Sequence, residues 1–233
     1  GADWVVAEVD ESDGTIEAFR PEITLALNCD WDHSDRYATR QDFRETLAIL
    51  LARTKGLVLA PEGDELEELA RTRSTCPTIT FETSPEPGAY NACNASAAFA
   101  ACRVIGAKPS ANALDDFPGL ARRQVVLGET SKRFILEDYA HHPTEIRAVL
   151  AEAREHFPSR ILKVVFQPHR YSRTSALVAE FAAELAVADD LFLLSTYGAY
   201  EVPDVSGEVE NLIGFLPPRL RDRVCVHDDF STL

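Results

Sequence analysis

Ile161-Leu162-Lys163-Val164-Val165-Phe166-Gln167-Pro168-His169-Arg170-Tyr171-Ser172-Arg173 is the stretch that decides the fold class. Its first six residues form a mostly apolar run too short for a helix of ordinary length, with three β-branched residues, and they read as a strand. A polar, proline-marked hand-off follows. Beyond it, Leu177, Phe181 and Leu185 recur on one helical face between Ser175 and Ala188. Strand, polar loop and amphipathic helix in succession are the unit of an α/β protein with a mostly parallel sheet.

The same alternation extends outward on both sides. Strands are expected at Trp4–Glu8, Ile23–Asn28, Gly56–Ala60, Arg133–Glu137, Ile161–Phe166, Asp190–Leu194 and Arg223–His227. Phe43, Leu47, Leu50 and Leu51 sit at helical spacing behind Thr39, which reads as an N-cap with Asp42 three residues on. Pro143 suits the first turn of a helix whose buried stripe is Ile146, Val149, Leu150, Ala153 and Phe157. An Ala-rich helix is expected over Tyr90–Val104, and these stripes are core packing. After the Gly106–Asn112 stretch, composition shifts through Asp115-Asp116-Phe117-Pro118-Gly119 into Arg122-Arg123. A domain boundary is therefore expected near 117–120, giving domains 1–118 and 119–233.

Bulk properties narrow the function. The 233 residues carry a net charge of −15, which argues against a general nucleic-acid binder because a phosphate backbone rewards the opposite sign. No apolar run is long enough for a bilayer span, and no signal-peptide pattern opens the chain. Cys29, Cys76, Cys93, Cys102 and Cys225 are odd in number and lack metal-type spacing, so reduced thiols in a cytoplasmic protein are expected. The chain has no methionine and opens Gly-Ala-Asp-Trp-Val-Val-Ala-Glu-Val, which reads as a fragment of a longer protein.

Chemistry gathers where the expected strands end. Glu8-Val9-Asp10-Glu11-Ser12-Asp13 and Asn28-Cys29-Asp30-Trp31-Asp32-His33 collect carboxylates with a histidine, donors that suit Mg²⁺ although His is an uncommon ligand for it. Asp138-Tyr139-Ala140-His141-His142 and His169-Arg170…Arg173 gather His with Arg, and guanidinium forks match carboxylates and phosphates. Arg122-Arg123 adds a second basic group. Together they suggest an anionic, phosphorylated substrate held between two domains. Read singly, each has a plainer alternative. Asp10–Asp13 suits a solvated turn, His141-His142 a helix cap, His169…Arg173 a surface ion-pair strip, and Tyr197 and Tyr200 packing.

Four strings carry a resemblance: Glu-x-Asp-Glu-Ser-Asp from Glu8, Asn28 to Tyr37, Asp138-Tyr-Ala-His-His-Pro-Thr-Glu145 and Phe166-Gln-Pro-His-Arg-Tyr-Ser-Arg-Thr174. With Pro87-Gly88, Asn91, Asn94 and Arg122-Arg123 between them, they resemble the Mur ligases in order and spacing over nearly the whole chain. The lysine that several sister branches carbamylate has no counterpart beyond His33, as in the alanine-adding branch. The resemblance implies part of a central ATPase-type domain followed by a Rossmann-like C-terminal domain truncated at its end. It implies ATP and Mg²⁺ as cofactors, and UDP-N-acetylmuramate and L-alanine as substrates joined through an acyl phosphate in peptidoglycan precursor synthesis. By the same resemblance, Glu8 and His33 hold Mg²⁺. Asn91 or Asn94, Arg122 or Arg123, and Asp138 contact ATP. Tyr139, His141, Arg170 and Arg173 face the muramoyl carboxylate and the incoming alanine, with Arg170 and Arg173 on an exposed loop.

This chain also departs from the pattern. No Gly-Lys-Thr phosphate loop lies within its 233 residues, and the segment between Phe81 and Pro87 is short. Ala89-Tyr90 replaces Arg-His, Glu137 stands where Asp is usual, and the tyrosine-proline motif reads Tyr197-Gly198-Ala199-Tyr200-Glu201. The isolated chain is expected to be inactive, its chemistry restored by the N-terminal part of the same enzyme. The alternatives are a non-catalytic relative that binds a nucleotide or a partner, and the ligase that recycles murein tripeptide.

Overall fold

Leu57–Pro61 contains no polar side chain, as a strand covered on both faces requires. In the computed structural model, which describes residues 3–83, 90–110, 112–117, 119–228 and 231, this segment is the middle strand of a parallel sheet. The chain divides into two units, Gly1–Thr83 with Ala92–Ala111, and Ser84–Asn91 with Asn112–Leu233.

The first unit is built on β1 (Ile23–Leu25), β2 (Leu57–Pro61) and β3 (Thr78–Phe81), in the order β1-β2-β3 and all parallel. Helices α1 (Arg40–Arg53) and α2 (Glu65–Arg73) cover one face, where Ala48, Leu51, Leu66 and Ala70 pack against Val58 and Ala60. The Ala-rich helix α3 (Tyr90–Val104) covers the other, with Ala97, Ala100, Ala101 and Val104 gathered around Leu59 and Phe81. Small side chains let α3 lie close to the sheet, which is what its composition provides. Helix α1 starts at Thr39 in a reciprocal capping box with Asp42, as the sequence predicts.

The second unit opens with a hairpin, β4 (Val125–Glu129) against β5 (Phe134–Glu137), closed by a turn in which Thr130 donates to the Arg133 carbonyl. A three-stranded parallel sheet follows, ordered β6 (Lys163–Phe166), β7 (Asp190–Leu194), β8 (Cys225–His227). The intervening helices are α4 (Pro143–His156), α5 (Tyr171–Ala176), α6 (Val178–Leu185), α7 (Val209–Phe215) and α8 (Pro218–Arg221). Phe181 and Leu185 are fully buried, each contributing roughly 1.5–3 kcal/mol of transfer free energy. The architecture is α/β, with parallel sheets as expected.

Several local expectations are corrected. Trp4–Glu8 is irregular, not a strand: Val5 and Val6 are each 91% exposed, and no ladder partner runs beside them among the described residues. The Arg133–Glu137 segment is β5, which pairs antiparallel with β4 instead of extending the parallel sheet. Its exposed Ile135 fits a ribbon with one wet face. The single helix expected over Ser175–Ala188 is two, because the backbone leaves helical geometry at the buried Leu177. Tyr197 and Tyr200 are exposed and so do not pack in the core. Pro87, Gly88, Ala89 and Pro118 lie outside the described residues. All five cysteines are free thiols, and no helix of the described residues is long and apolar enough to cross a membrane.

Candidate functional site

The residues following β5, β6 and β7 are stitched into one surface of the second unit. After β6, Pro168 accepts from the Tyr197 N–H at 2.9 Å, and the Arg170 N–H donates to the Tyr197 carbonyl at 2.8 Å. His169 and Tyr197 thus form a one-residue parallel bridge that carries the sheet's pairing into the loops. Glu201 completes the join by accepting from the Ser172 N–H at 3.0 Å and from its hydroxyl. Behind this loop pair, Gly207 lies where a Cβ would enter the backbone of Tyr171, so the start of α5 rests directly on it.

Four rings follow one another across this surface in a ring stack of edge-on and tilted contacts, none with parallel faces. Tyr139 meets His141 at 5.1 Å between ring centroids, His141 meets His169 at 5.9 Å, and His169 meets Tyr197 at 5.5 Å. His142 caps α4 by accepting from the Thr144 N–H, and Glu145 returns the capping box through the His141 and His142 N–H groups. The cap reading of this pair holds for His142. His141 instead turns into the ring stack, with Nδ1 at 2.9 Å from the Tyr139 carbonyl and 3.5 Å from the Glu145 carboxylate. Burial raises the Glu145 carboxyl's affinity for a proton, but His141, its backbone N–H and Arg123 outweigh that and hold the pKa below the usual value.

The two guanidiniums of the motif have different surroundings. Arg170 stands at φ 71°, partly exposed, 3.9 Å from Glu201. Arg173 does not lie on an exposed loop: it sits within α5 at 4% exposure, with Nη1 at 3.1 Å from both the His169 carbonyl and the His169 Nδ1. Helix α5 begins immediately after Arg170, so position 173 falls on the turn that faces back toward His169. Burial, then Arg173, His141 and Arg170, hold the His169 imidazole below its ordinary pKa, with Glu201 partly opposing.

Asp138 anchors the other end of the stack. Its carboxylate accepts from the Gln124 N–H at 3.0 Å and the Ala140 N–H at 2.7 Å, with Arg123 at 3.8 Å. Arg122 lies over the Tyr139 ring at 4.4 Å, while Arg123 is drawn to Glu145 at 3.0 Å. Asn91 donates to the Gln124 side-chain carbonyl at 2.9 Å, which ties it to the Asp138 group. Asn94, one turn on, is exposed. Tyr90 has its hydroxyl pushed up to about 12, by burial first and then by Asp138 and Glu152. Asp138, Tyr139, His141, Arg170, Arg173 and the Arg122-Arg123 pair are thus brought together within the second unit. Gln124 is a site-building residue that the sequence reading missed, and Glu145 and Glu201 were quoted there within their strings without a role. A left-handed backbone at Arg122, Gln124, Arg170, Ala199 and Tyr200 marks the same loops, and residue types do not announce it.

Glu8 and His33 belong to the first unit. His33 also has a left-handed backbone, φ 52°. Its Nε2 is 3.7 Å from Glu11 and 3.9 Å from Asp32, and its buried Nδ1 has no hydrogen-bond partner. Burial raises the Glu11 pKa, with Asp10 and Asp32 adding to the rise while its own backbone amide and His33 oppose it. Asp10 instead accepts from the Ser12 N–H and hydroxyl, the turn of the plainer reading, and Glu8 is exposed on irregular backbone. Among the described residues, no three His, Cys, Asp or Glu side chains converge as a metal cage. The carboxylates lie beside Nε2 and the unpartnered nitrogen is Nδ1, so what the group offers Mg²⁺ is chiefly the oxygens of Glu11 and Asp32, for an ion that takes few protein ligands and keeps waters and phosphates.

A cavity of about 520 Å³ lies at the opposite, amino-terminal end of β6 and β7, lined in part by Arg154, Arg219, Arg223, Asp189 and Asp190. Its arginines are already engaged: Arg154 with the Arg160 carbonyl and Asp189, Arg219 with the Ala188 carbonyl, Arg223 with Asp190. It is a braced end of the sheet, remote from the ring stack.

Residues 121–230 match the family described as Mur ligase, glutamate ligase domain. The UDP-N-acetylmuramate–L-alanine ligase of Arthrobacter sp. (strain FB24) is 35% identical over 249 residues, covering 91% of this chain and 53% of that protein. The chain spans about half the length of the curated relatives it matches. Among solved structures, the UDP-N-acetylmuramate–alanine ligase of Thermotoga maritima superposes with a TM-score of 0.64 at 23% identity, over 94% of this chain and 54% of that one. A murein peptide ligase from Psychrobacter arcticus gives 0.63 at 19% identity, over 93% and 52%. Both structural likenesses speak to the fold.

Proposed function

Since the chain belongs to the Mur ligase family, we propose that it is the catalytic-side part of an ATP-dependent ligase joining L-alanine to UDP-N-acetylmuramate. Residues 1–118 would belong to the central domain and 119–233 form the C-terminal domain of a cytoplasmic enzyme. The observation that carries the reading is the convergence of Asp138, Tyr139, His141 and Arg170 on the loops after β5 and β6, with Arg173 in the α5 helix that follows. Carboxylate activation through an acyl phosphate, followed by amine attack, asks for positioned charge around oxyanions more than for a protein nucleophile.

Each group then has a part that its surroundings support. Asn91 and Asp138 would bind the nucleoside side of ATP. Each Asp138 oxygen accepts one backbone N–H and retains capacity for another donor. Arg122, more exposed than Arg123, would meet phosphate, while Arg123 holds Glu145 and Asp138. Asn94 remains the open alternative to Asn91. Arg170 would pair with a substrate carboxylate, and Tyr139 and His141 would border the amine. Glu8 and His33 would hold Mg²⁺, which when bound neutralises charge on phosphoryl oxygens.

The test is to join these 233 residues to the N-terminal half of a relative and measure phosphate release. Release that requires both UDP-N-acetylmuramate and L-alanine is expected. Arg170→Ala should lower kcat on the order of 10²–10³-fold, as loss of an oxyanion partner does. Lys should rescue poorly because it lacks the planar fork. Release that needs neither substrate, or that needs a murein tripeptide in place of alanine, would overturn the assignment.

A further inference from the structure

A hydrogen-bond partner with only one possible role fixes the tautomer of a histidine, and both histidines of the ring stack have such a partner. A carbonyl oxygen only accepts, so His141 Nδ1, 2.9 Å from the Tyr139 carbonyl, must carry a proton. A guanidinium only donates, so His169 Nδ1, 3.1 Å from Arg173 Nη1, must be bare. The neutral rings are therefore of opposite kinds. His141 presents Nε2 as a lone pair, and His169 presents Nε2 as an N–H donor.

We propose that His141 and His169 are a preset acceptor–donor pair, and that Arg173 is the positioning residue that sets the second member by holding His169 Nδ1. This rests on the ligase reading for its use, though not for its existence. With an ammonium-bearing substrate at the stack, His141 Nε2 takes one proton from the ammonium. The nitrogen keeps the electron pair that it needs for attack, and the resulting imidazolium is balanced by Glu145 at 3.5 Å. His169 Nε2–H donates a hydrogen bond to an oxygen bearing developing negative charge and keeps its proton.

The surroundings suit that division. His141 is 26% exposed at its side chain, and the Glu145 carboxylate faces its Nδ1. His169 is half-buried and faces Arg173, Arg170 and His141 against the single carboxylate of Glu201, with Tyr197 on its other side, so it stays neutral. The Arg173 side chain, buried within α5 and bonded at once to the His169 carbonyl and ring, has geometry to position that ring. In this assignment it supports His169 in place of reaching substrate itself.

The experiment is a long-range proton–nitrogen correlation spectrum of the 233-residue chain labelled with ¹⁵N-histidine, recorded at slightly alkaline pH. The six histidines are assigned by loss of signals in His141→Gln and His169→Gln. The expected result is an Nδ1–H pattern for His141 and an Nε2–H pattern for His169. Arg173→Lys should keep the His169 pattern, and Arg173→Met should mix it. An Nδ1–H pattern for His169 in the unmodified chain overturns the proposal, whatever the Arg173 variants do. The same tautomer in both rings does so equally. In the joined enzyme, Arg173→Lys should retain more kcat than Arg173→Met. If the spectra hold and no alanine-dependent turnover is found, the ligase reading fails and the tautomer pair stands.

Discussion

Arg170 and Arg173 stand three residues apart in one motif, and the backbone separates what their loss should do. Arg173 is buried and bonded twice to His169, so Arg173→Ala leaves those acceptors unpaired and should cost about 1–3 kcal/mol in a denaturant titration. Arg170 is partly exposed and sits at φ 71° and ψ 132°, a conformation that costs a non-glycine residue about 1–3 kcal/mol. Arg170→Gly should therefore hold or raise stability while removing the anion contact; a fall in midpoint beyond 1 kcal/mol would show that the conformation is not strained. His169 supplies a pH test. Its folded pKa is depressed below the unfolded value of 6.5, so the unfolded chain takes the proton first. The stability it contributes is present above pH about 6.5 and is lost as pH falls from there through the folded pKa. His169→Gln should flatten the slope of stability against pH below about 6.5. Glu145 titrates in a separate, lower window. An unchanged slope would mean that the ring is equally basic in both states. Asp138, His141 and Arg170 were legible in the sequence because charge at a strand's end is unusual. The burial of Arg173 was not, because it depends on where α5 begins, and the sequence reading started that helix later.

At the scale of elements, the site depends on how α5 is seated. Gly207 meets the backbone of Tyr171, and its carbonyl accepts from the buried Thr196 hydroxyl at 3.0 Å. A methyl group there must displace the first turn of α5 or the strand end carrying Thr196. Gly207→Ala should cost about 1–3 kcal/mol, the range of overpacking, and disturb Arg170 and Arg173 together. Gly214, where an added Cβ meets nothing within 4 Å, is the control: Gly214→Ala within α7 should be neutral or stabilising. Equal effects at both positions would remove the seating argument. The sequence could not show this, since a glycine for close approach and a glycine in open space are spelled alike. What it did show were features with local causes. Thr39 with Asp42 and Pro143 at the start of α4 were readable because a capping box and an N-terminal proline act within one turn. Trp4–Glu8 was misread because β-propensity becomes a strand only with a ladder partner, and that information is not local. The hairpin β4–β5 was half seen for the same reason: the segment was found, its partner was not.

Over the whole molecule, charge imbalance and ion pairing oppose each other, and magnitudes decide which one salt reveals. The net charge of −15 is spread over 38 carboxylates and 23 basic side chains, so long-range repulsion acts on the compact state. Against it stand ion pairs such as Arg73–Glu45 and Arg223–Asp190, whose side chains retain much of their exposure. Pairs of that kind contribute about 0–1 kcal/mol each. Raising ionic strength from 0.01 to 0.15 M shortens the screening length from about 30 to 8 Å. Repulsion between distant carboxylates then largely disappears, while groups in contact lose less. Thermal stability at pH 7 should therefore rise with sodium chloride over this range, by about 2–4 °C for each kcal/mol of repulsion removed. Glu155 tests the cause. It is exposed near the carboxyl end of α4, where the helix dipole disfavours an anion. Glu155→Lys should add about 0.3–1 kcal/mol at low salt and reduce the salt dependence, because it removes two units of imbalance and reverses an unfavourable dipole contact. If the melting temperature instead falls as salt is added, contact ion pairs outweigh the imbalance. The acidic surface would then be a paired network, and Glu155→Lys would leave its salt dependence intact.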